Sequence, residues 1–514
     1  DLLWFGGIGT YVRGPGETDD QVGDRANDPV RVSADDLNVK VIGEGANLGM
    51  TQKARIAFAL RGGRLNTDAI DNSAGVNSSD VEVNIKIALG TAVRDGRLTT
   101  PARNKLLAAM TEEVAGLVLR NNYLQTLALS LAQRRGLSEI EFQSRFMSDL
   151  ESRGLLDRVV EELPDAEALQ ARIDSGHGLT RPELAVLLAY AKITLFDAIL
   201  ATDVPDDPYL ARELMRYFPT QMKKKYADTI EGHRLRREII ATMLANSMIN
   251  RGGPVFVDRI ADQTGAGIAE IAAAFALTRD SYGMTALNGA IDALDSRIDG
   301  ALQLSLYARV QEVLWQETMW FVRNPDGGAG LESQIARFTR GIDQLTRKLE
   351  SALPEKLAAA RADDIRALTE SGVPEDLAAR LADLEFLTSA PDIIRVAEES
   401  GASVVKAAEV YFGIGDRFGT DHLARAAGNL DLADYYDRVA VNRALDGVAE
   451  AQRRIASAAL SASKSGDPLA TWLEGAGGKA EKTRRTIAEI SEDPALTVSK
   501  LSVASSLLRD LAPV

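Results

Sequence analysis

The chain contains no cysteine. That removes disulfide frameworks, thiolate metal sites and cysteine nucleophiles together, and it fits a reducing, cytoplasmic setting. Histidine is nearly as scarce: His177, His233 and His422 lie far apart, which argues against a metal cluster and reads as surface or capping residues. No G-x-S-x-G elbow accompanies them, so no serine hydrolase pattern forms. Long apolar runs are missing as well, and no stretch of about 18 such residues signals a transmembrane helix. Positive charge is in deficit, with 59 Lys and Arg against 74 Asp and Glu and a net charge of −15, which disfavours nucleic acid or an anionic membrane as partner. An initiator Met and a signal peptide are also lacking, and the chain opens inside an apolar, strand-like run. A segment of a longer protein is the expectation.

What is present describes an ordinary globular chain, 45% hydrophobic and 26% charged, long enough at 514 residues for roughly three domains. Two short strands are expected near the start, Asp1–Phe5 and Asn38–Gly43, the second closed by the turn GEGAN. Helical spacing follows over Thr51–Leu60 up to Gly62-Gly63, then a short apolar step at Ala69-Ile70 reads as a third strand, and Val81–Leu89 is again helical. This is the rhythm of an α/β domain with strands buried on both faces.

Beyond about residue 100 strand signals nearly vanish. Residues 101–136 predict one long helix or two, and Thr180 with Glu183 forms a capping box ahead of an apolar helix. Leu235–Ile249 predicts a further helix, stopped at Gly252-Gly253-Pro254. Pro and Gly at 324–330 mark a boundary, after which Leu331, Ile335, Phe338, Ile342, Leu345 and Leu349 form a heptad-like seam, too short for an extended coiled coil and suited to a packed helical hairpin. The run Lys223–Lys225 reads as a solvated helix face, and GAGGK at 475–479 as a flexible interruption. The fold class expected is mainly α, with an N-terminal α/β part over 1–95, which the resemblance given below makes the remnant of a Rossmann-like cofactor domain, a helical domain over 96–330 and a C-terminal helical domain over 331–514.

Two glycine runs imitate nucleotide loops. Gly7-Ile8-Gly9 has the first two glycines of a dinucleotide fingerprint but Val12 where the third belongs, and turn chemistry rather than a helix follows. It reads instead as a strand-end loop, the place where ligands of open α/β sheets bind. Gly413–Gly419 sits among helices and reads as a helix-to-helix turn. The most informative stretch is 41–84, where Asn47 and Asn72 each stand just beyond an apolar run among small residues. Such a carboxamide can both donate and accept, toward a nicotinamide or a ribose hydroxyl, or it can cap a turn.

The motifs DLLWFGGIGTYV, VGDRAND, GEGANLGMTQ, DNSAGVNSSDVEVNIKI and GLTRPELAVLLAYAK resemble the large bacterial NAD-specific glutamate dehydrogenases of the long-chain class, and the likeness extends more weakly through the helical remainder. The resemblance implies NAD as cofactor and oxidative deamination of L-glutamate to 2-oxoglutarate and ammonia by a homo-oligomer. By position, Asn47 and Asn72 would face the nicotinamide end of NAD, Gly6 and Gly7 its ribose, and Ser79 the distal carboxylate of glutamate, with Val76 lining the same pocket. The chain departs from the wider pattern in reading SAGV for AGGV and in placing Asp80 where an aromatic is usual. In that family the pyrophosphate loop, catalytic lysine and catalytic aspartate lie upstream of this segment, so no catalytic residue is assigned and Lys40, Lys53 and Lys86 are not put in their place. The alternative is a non-catalytic helical module for assembly or regulation, which the residues beyond 100 favour.

Overall fold

The computed structural model describes residues 1–512 except 431, 433–434 and 463–465. It is mostly helical, with a small amount of parallel sheet at the start, and it divides into two compact units, Asp1–Ala276 and Leu277–Val514.

In the first unit β1 (Leu2–Phe5) runs parallel to β4 (Val41–Glu44), with Phe5 opposite Glu44, and β2 (Val12–Arg13) runs parallel to β3 (Val32–Ser33). Arg64 extends the sheet beyond β4 through main-chain bonds to Lys40 and Ile42. Phe5, Val12, Ile42, Ala46, Met50, Ala54, Phe58 and Leu65 close one core beneath these strands. The other face differs from the expected two-sided burial: Leu2, Trp4 and Val41 are exposed, the first two at 64% and 63%. Strict alternation explains this, because successive side chains point to opposite faces and the core gathers on one of them. Trp4 nevertheless shapes its own strand pair. A Cβ at Gly43 would come within 2.7 Å of its ring and one at Gly45 within 2.4 Å, so the glycines of GEG are there to let the indole lie flat on β4.

Helix α1 (Gln52–Leu60) starts where Thr51 accepts from the Ala54 amide at 3.1 Å. The predicted strand at Ala69-Ile70 is instead α2 (Asp68–Asp71), a single helical turn capped by Thr67. Two apolar residues cannot distinguish strand from helix by period, and the Thr cap settles the local conformation. Helix α3 (Ser73–Arg94) follows directly after Asn72, longer than the predicted Val81–Leu89 because the small residues SAG are helical too. The next predicted segment is two helices, Thr100–Ala109 and α4 (Thr111–Arg135). The capping box is present at the start of α5 (Arg181–Leu200): the Glu183 carboxylate accepts from the Thr180 amide and hydroxyl at 2.7 and 2.6 Å and from Arg172. α6 (Arg236–Gly252) ends with Gly253 at φ +95°, as its Gly-Gly-Pro stop requires. His177 and His422 are exposed, whereas His233 is buried, its Nδ1 accepting from the Leu235 amide and its Nε2 facing the Asn84 carbonyl at 3.1 Å.

In the second unit the seam residues Ile335, Phe338, Ile342 and Leu345 are buried on α7 (Leu331–Thr346) and Leu349 just beyond it. Gly413 to Phe418 are not a turn. They belong to the helix Val404–Phe418, and Gly419 at φ +69° ends it; Gly415 instead gives room to the Gln452 side chain. At 475–479 the helix Pro468–Ser491 kinks at Gly477. Among the described residues no helix is long and apolar enough to cross a membrane, and no group of His, Cys, Asp and Glu is placed to hold a metal ion.

Candidate functional site

Because β1 and β4 are parallel and in register at Phe5 and Glu44, the loops that leave them emerge at the same, carboxyl, edge of the sheet. One loop carries Gly6 and Gly7, the other Asn47, and all three are exposed. A polar network fixes the second loop. Glu44, fully buried, accepts from Arg55 in a two-pronged ion pair at 2.6 and 2.8 Å. Burial raises the Glu44 pKa, and the hydrogen bonds and charge of Arg55 oppose that rise. Arg55 also reaches Asp68 at 3.1 Å. The other Asp68 oxygen accepts from the Leu48 amide at 2.8 Å and holds Leu48 at φ +59°, a conformation that costs a non-glycine residue of order 1 kcal/mol. Asp71 accepts from the Glu44 amide and from Asn66, and Asn66 is held in turn by Arg181 at 2.8 Å from the first turn of α5.

Asn72 connects this loop to α3. Its Nδ2 donates to the Glu44 carbonyl at 2.7 Å and to the Asp68 carbonyl at 2.9 Å, so the N-terminus of α3 is tied to the carboxyl end of β4. The capping role considered for this residue is therefore real, and Oδ1 is what its carboxamide can still offer. No side chain caps the first turn of α3, which leaves main-chain amides and the positive end of a 22-residue helix at the same edge. Val76, 67% exposed, and Ser79 follow on the outer face of α3, at a rise of about 1.5 Å per residue. Gly6, Gly7, Asn47 and Asn72 thus gather at one sheet edge, and Val76 and Ser79 extend from it along one helix face. The three lysines are all engaged at the surface: Lys40 with Asp1 at 3.4 Å, Lys53 with Glu162 at 3.2 Å and Lys86 with Glu82 at 2.5 Å.

The first 132 residues match the family model for the bacterial NAD-glutamate dehydrogenase catalytic domain, and residues 176–510 match the model for the glutamate dehydrogenase C-terminal region. The chain belongs to the bacterial NAD-glutamate dehydrogenase family. It is 38% identical over 516 residues to the NAD-specific glutamate dehydrogenase of Pseudomonas aeruginosa, covering 100% of this chain and 32% of that protein. The corresponding figures are 38% over 520 residues for the enzyme of Halomonas elongata and 35% over 520 for that of Mycobacterium tuberculosis, again at 32% of their length. The chain therefore spans about a third of the relatives it matches.

The sequence motifs point to Gly6, Gly7, Asn47, Asn72, Val76 and Ser79 but not to the residues that hold this edge in place: Glu44, Arg55, Asn66, Asp68, Asp71 and Arg181. Their only local signal was acidic residues at a strand end and beside a Thr cap; the pairing partners come from up to 115 residues away.

Proposed function

We propose that this chain is the carboxyl-terminal part of an NAD-dependent glutamate dehydrogenase, with residues 1–95 as the distal part of a Rossmann-like domain and residues 96–330 and 331–514 as helical domains. The overall reaction is oxidative deamination of L-glutamate to 2-oxoglutarate and ammonia, in which NAD when bound supplies the hydride acceptor. The observation that supports the reading is the meeting of the β1 and β4 loops with an uncapped helix N-terminus at the carboxyl edge of a parallel strand pair, the usual ligand position in open α/β sheets.

The residues present fit such a cofactor. A Cβ at Gly6 or Gly7 would meet nothing nearer than 3.7 Å, so the main chain of that loop is open to a ribose, and the Asn47 carboxamide stands free of the core to pair with a nicotinamide amide. Asn72 positions the edge by joining β4 to α3. Ser79 presents a hydroxyl that donates to the distal carboxylate of glutamate, and Val76 shields that contact from water. The proton-transfer lysine and aspartate are not assigned within this chain. In the whole enzyme, Asn47→Ala should raise the KM for NAD about tenfold, the scale of a lost polar contact, with the KM for glutamate little changed; equal NAD kinetics in mutant and parent would remove Asn47 from the site.

For residues 331–514 a second reading has its own support. The buried Asp392 there is held by Arg453 and by Trp320 of the preceding helix, which suits a structural module that assembles a cytoplasmic homo-oligomer.

A further inference from the structure

In the first unit, the helices Ile140–Ser152 and Phe256–Thr264 face each other across a cavity of about 320 Å³, at the lower end of the size range of small-molecule sites. The lining repeats at helical spacing on both sides: Phe142, Arg145, Phe146 and Asp149 from one, Val255, Asp258, Arg259 and Asp262 from the other. Positions three and four apart on facing helices are ordinarily apolar, because that stripe makes the packed seam. Here the aromatic rings and Val255 are joined by charged side chains, of which Asp258 and Arg259 are half-buried and Arg145, Asp149 and Asp262 are exposed.

Most of those charges are accounted for. Arg145 pairs with Asp262 at 3.4 Å, both half exposed at the mouth, and Arg153 pairs with Asp149 at 3.0 Å. The Arg259 guanidinium lies over the Phe142 ring at 4.4 Å. Asp258, in the first turn of its helix, has no hydrogen bond or ion pair to another residue among the described residues. The cavity therefore offers an apolar wall and one carboxylate without a direct hydrogen-bond or ion-pair partner.

We propose that this cavity binds a small organic cation with an apolar body, its ammonium group on Asp258 and its body against Phe142, Phe146 and Val255. Burial raises the Asp258 pKa to about 7, and the charges of Asp149 and Asp262 add to the rise while Arg153 opposes it. The charged groups around Asp258 are Arg145, Asp149 and Arg153 on the facing helix and Arg259 and Asp262 on its own. An ammonium group supplies the direct partner that this carboxylate lacks, and it binds the ionised form, so affinity should climb with pH.

The test is calorimetric titration of phenethylammonium, with its neutral alcohol analogue as control, into the 514-residue chain. Saturable binding of the amine, at least about tenfold tighter than the alcohol and about tenfold weaker at about pH 6 than at about pH 8, is expected. Asp258→Asn should reduce the amine to the level of the alcohol, and Ser144→Trp, which fills the cavity while leaving Asp258 in place, should abolish both. Equal affinity for amine and alcohol, binding unchanged in Asp258→Asn, or no saturation by about 10 mM would overturn the proposal.

Discussion

Tyr282 has one hydroxyl hydrogen and two oxygens within reach of it, Glu317 Oε2 at 2.7 Å and the Leu387 carbonyl at 3.0 Å. A carbonyl can only accept, so with Glu317 ionised the one hydrogen must be shared between two acceptors, whereas with Glu317 a neutral acid Tyr282 donates to Leu387 and Glu317 donates to Tyr282, which favours the protonated form. Its burial, 2% exposed, works in the same direction and raises its pKa well above the usual carboxylate range. The native state thus holds a proton that the unfolded chain gives up near the ordinary glutamate value. The stability this contributes is complete below that value and is lost as pH rises toward the raised pKa, with a slope of up to about 1.4 kcal/mol per pH unit. Glu317→Gln keeps the donor and removes the titration, so its stability should fall below the parent only slightly near pH 5, by about 1 kcal/mol at most, and exceed it above neutrality. Denaturant melts of both proteins across that range check this. Parallel pH profiles would show that Glu317 is ionised in the fold.

Between helices, Gly341 on α7 is the tightest such contact in the second unit to involve an aliphatic core residue. A Cβ there would stand 2.4 Å from Ile394 Cδ1 and 2.5 Å from its Cγ1. Gly341→Ala should therefore lower stability by about 1–3 kcal/mol through overpacking, against a helix-propensity gain of about 1 kcal/mol, and a thermal melt reads the sign directly. Contacts of this kind separate what could be read in the sequence from what could not. The cap at Thr180, the stop at Gly253 and the seam Ile335–Leu345 were legible because each rests on residues within a turn or two of one another. Ala69-Ile70 was misread because its structure is set by Thr67 and by Asp68 and Asp71 binding the β4 loop. Gly413–Gly419 was misread because Gly415 answers to Gln452, a residue on another helix. The exposed face of β1 was missed for a similar reason, since burial depends on what packs against a strand as well as on its composition.

Across the whole molecule, the proposed site occupies a short stretch of chain. The edge where Gly6, Gly7, Asn47 and Asn72 meet occupies the first 72 residues, while most of the helical remainder forms cores of its own. Asn47 and Asn72, proposed as site residues, stand in the short motifs GEGAN and DNSAGV and could be named from them; the buried charges that set the local geometry could not, because Glu44, Arg55 and Arg181 become neighbours only in the fold. The proposed function stands on contact between the outer face of α3 and the substrate of a glutamate dehydrogenase. Steady-state kinetics of Ser79→Ala in the whole enzyme tests it most directly, with the surface variant Lys86→Ala as control. Loss of a hydroxyl bond to a carboxylate, about 1.5–3 kcal/mol, should raise the KM for L-glutamate roughly 10–100-fold and leave the KM for NAD near the parent value, whereas unchanged glutamate kinetics in Ser79→Ala would contradict the account.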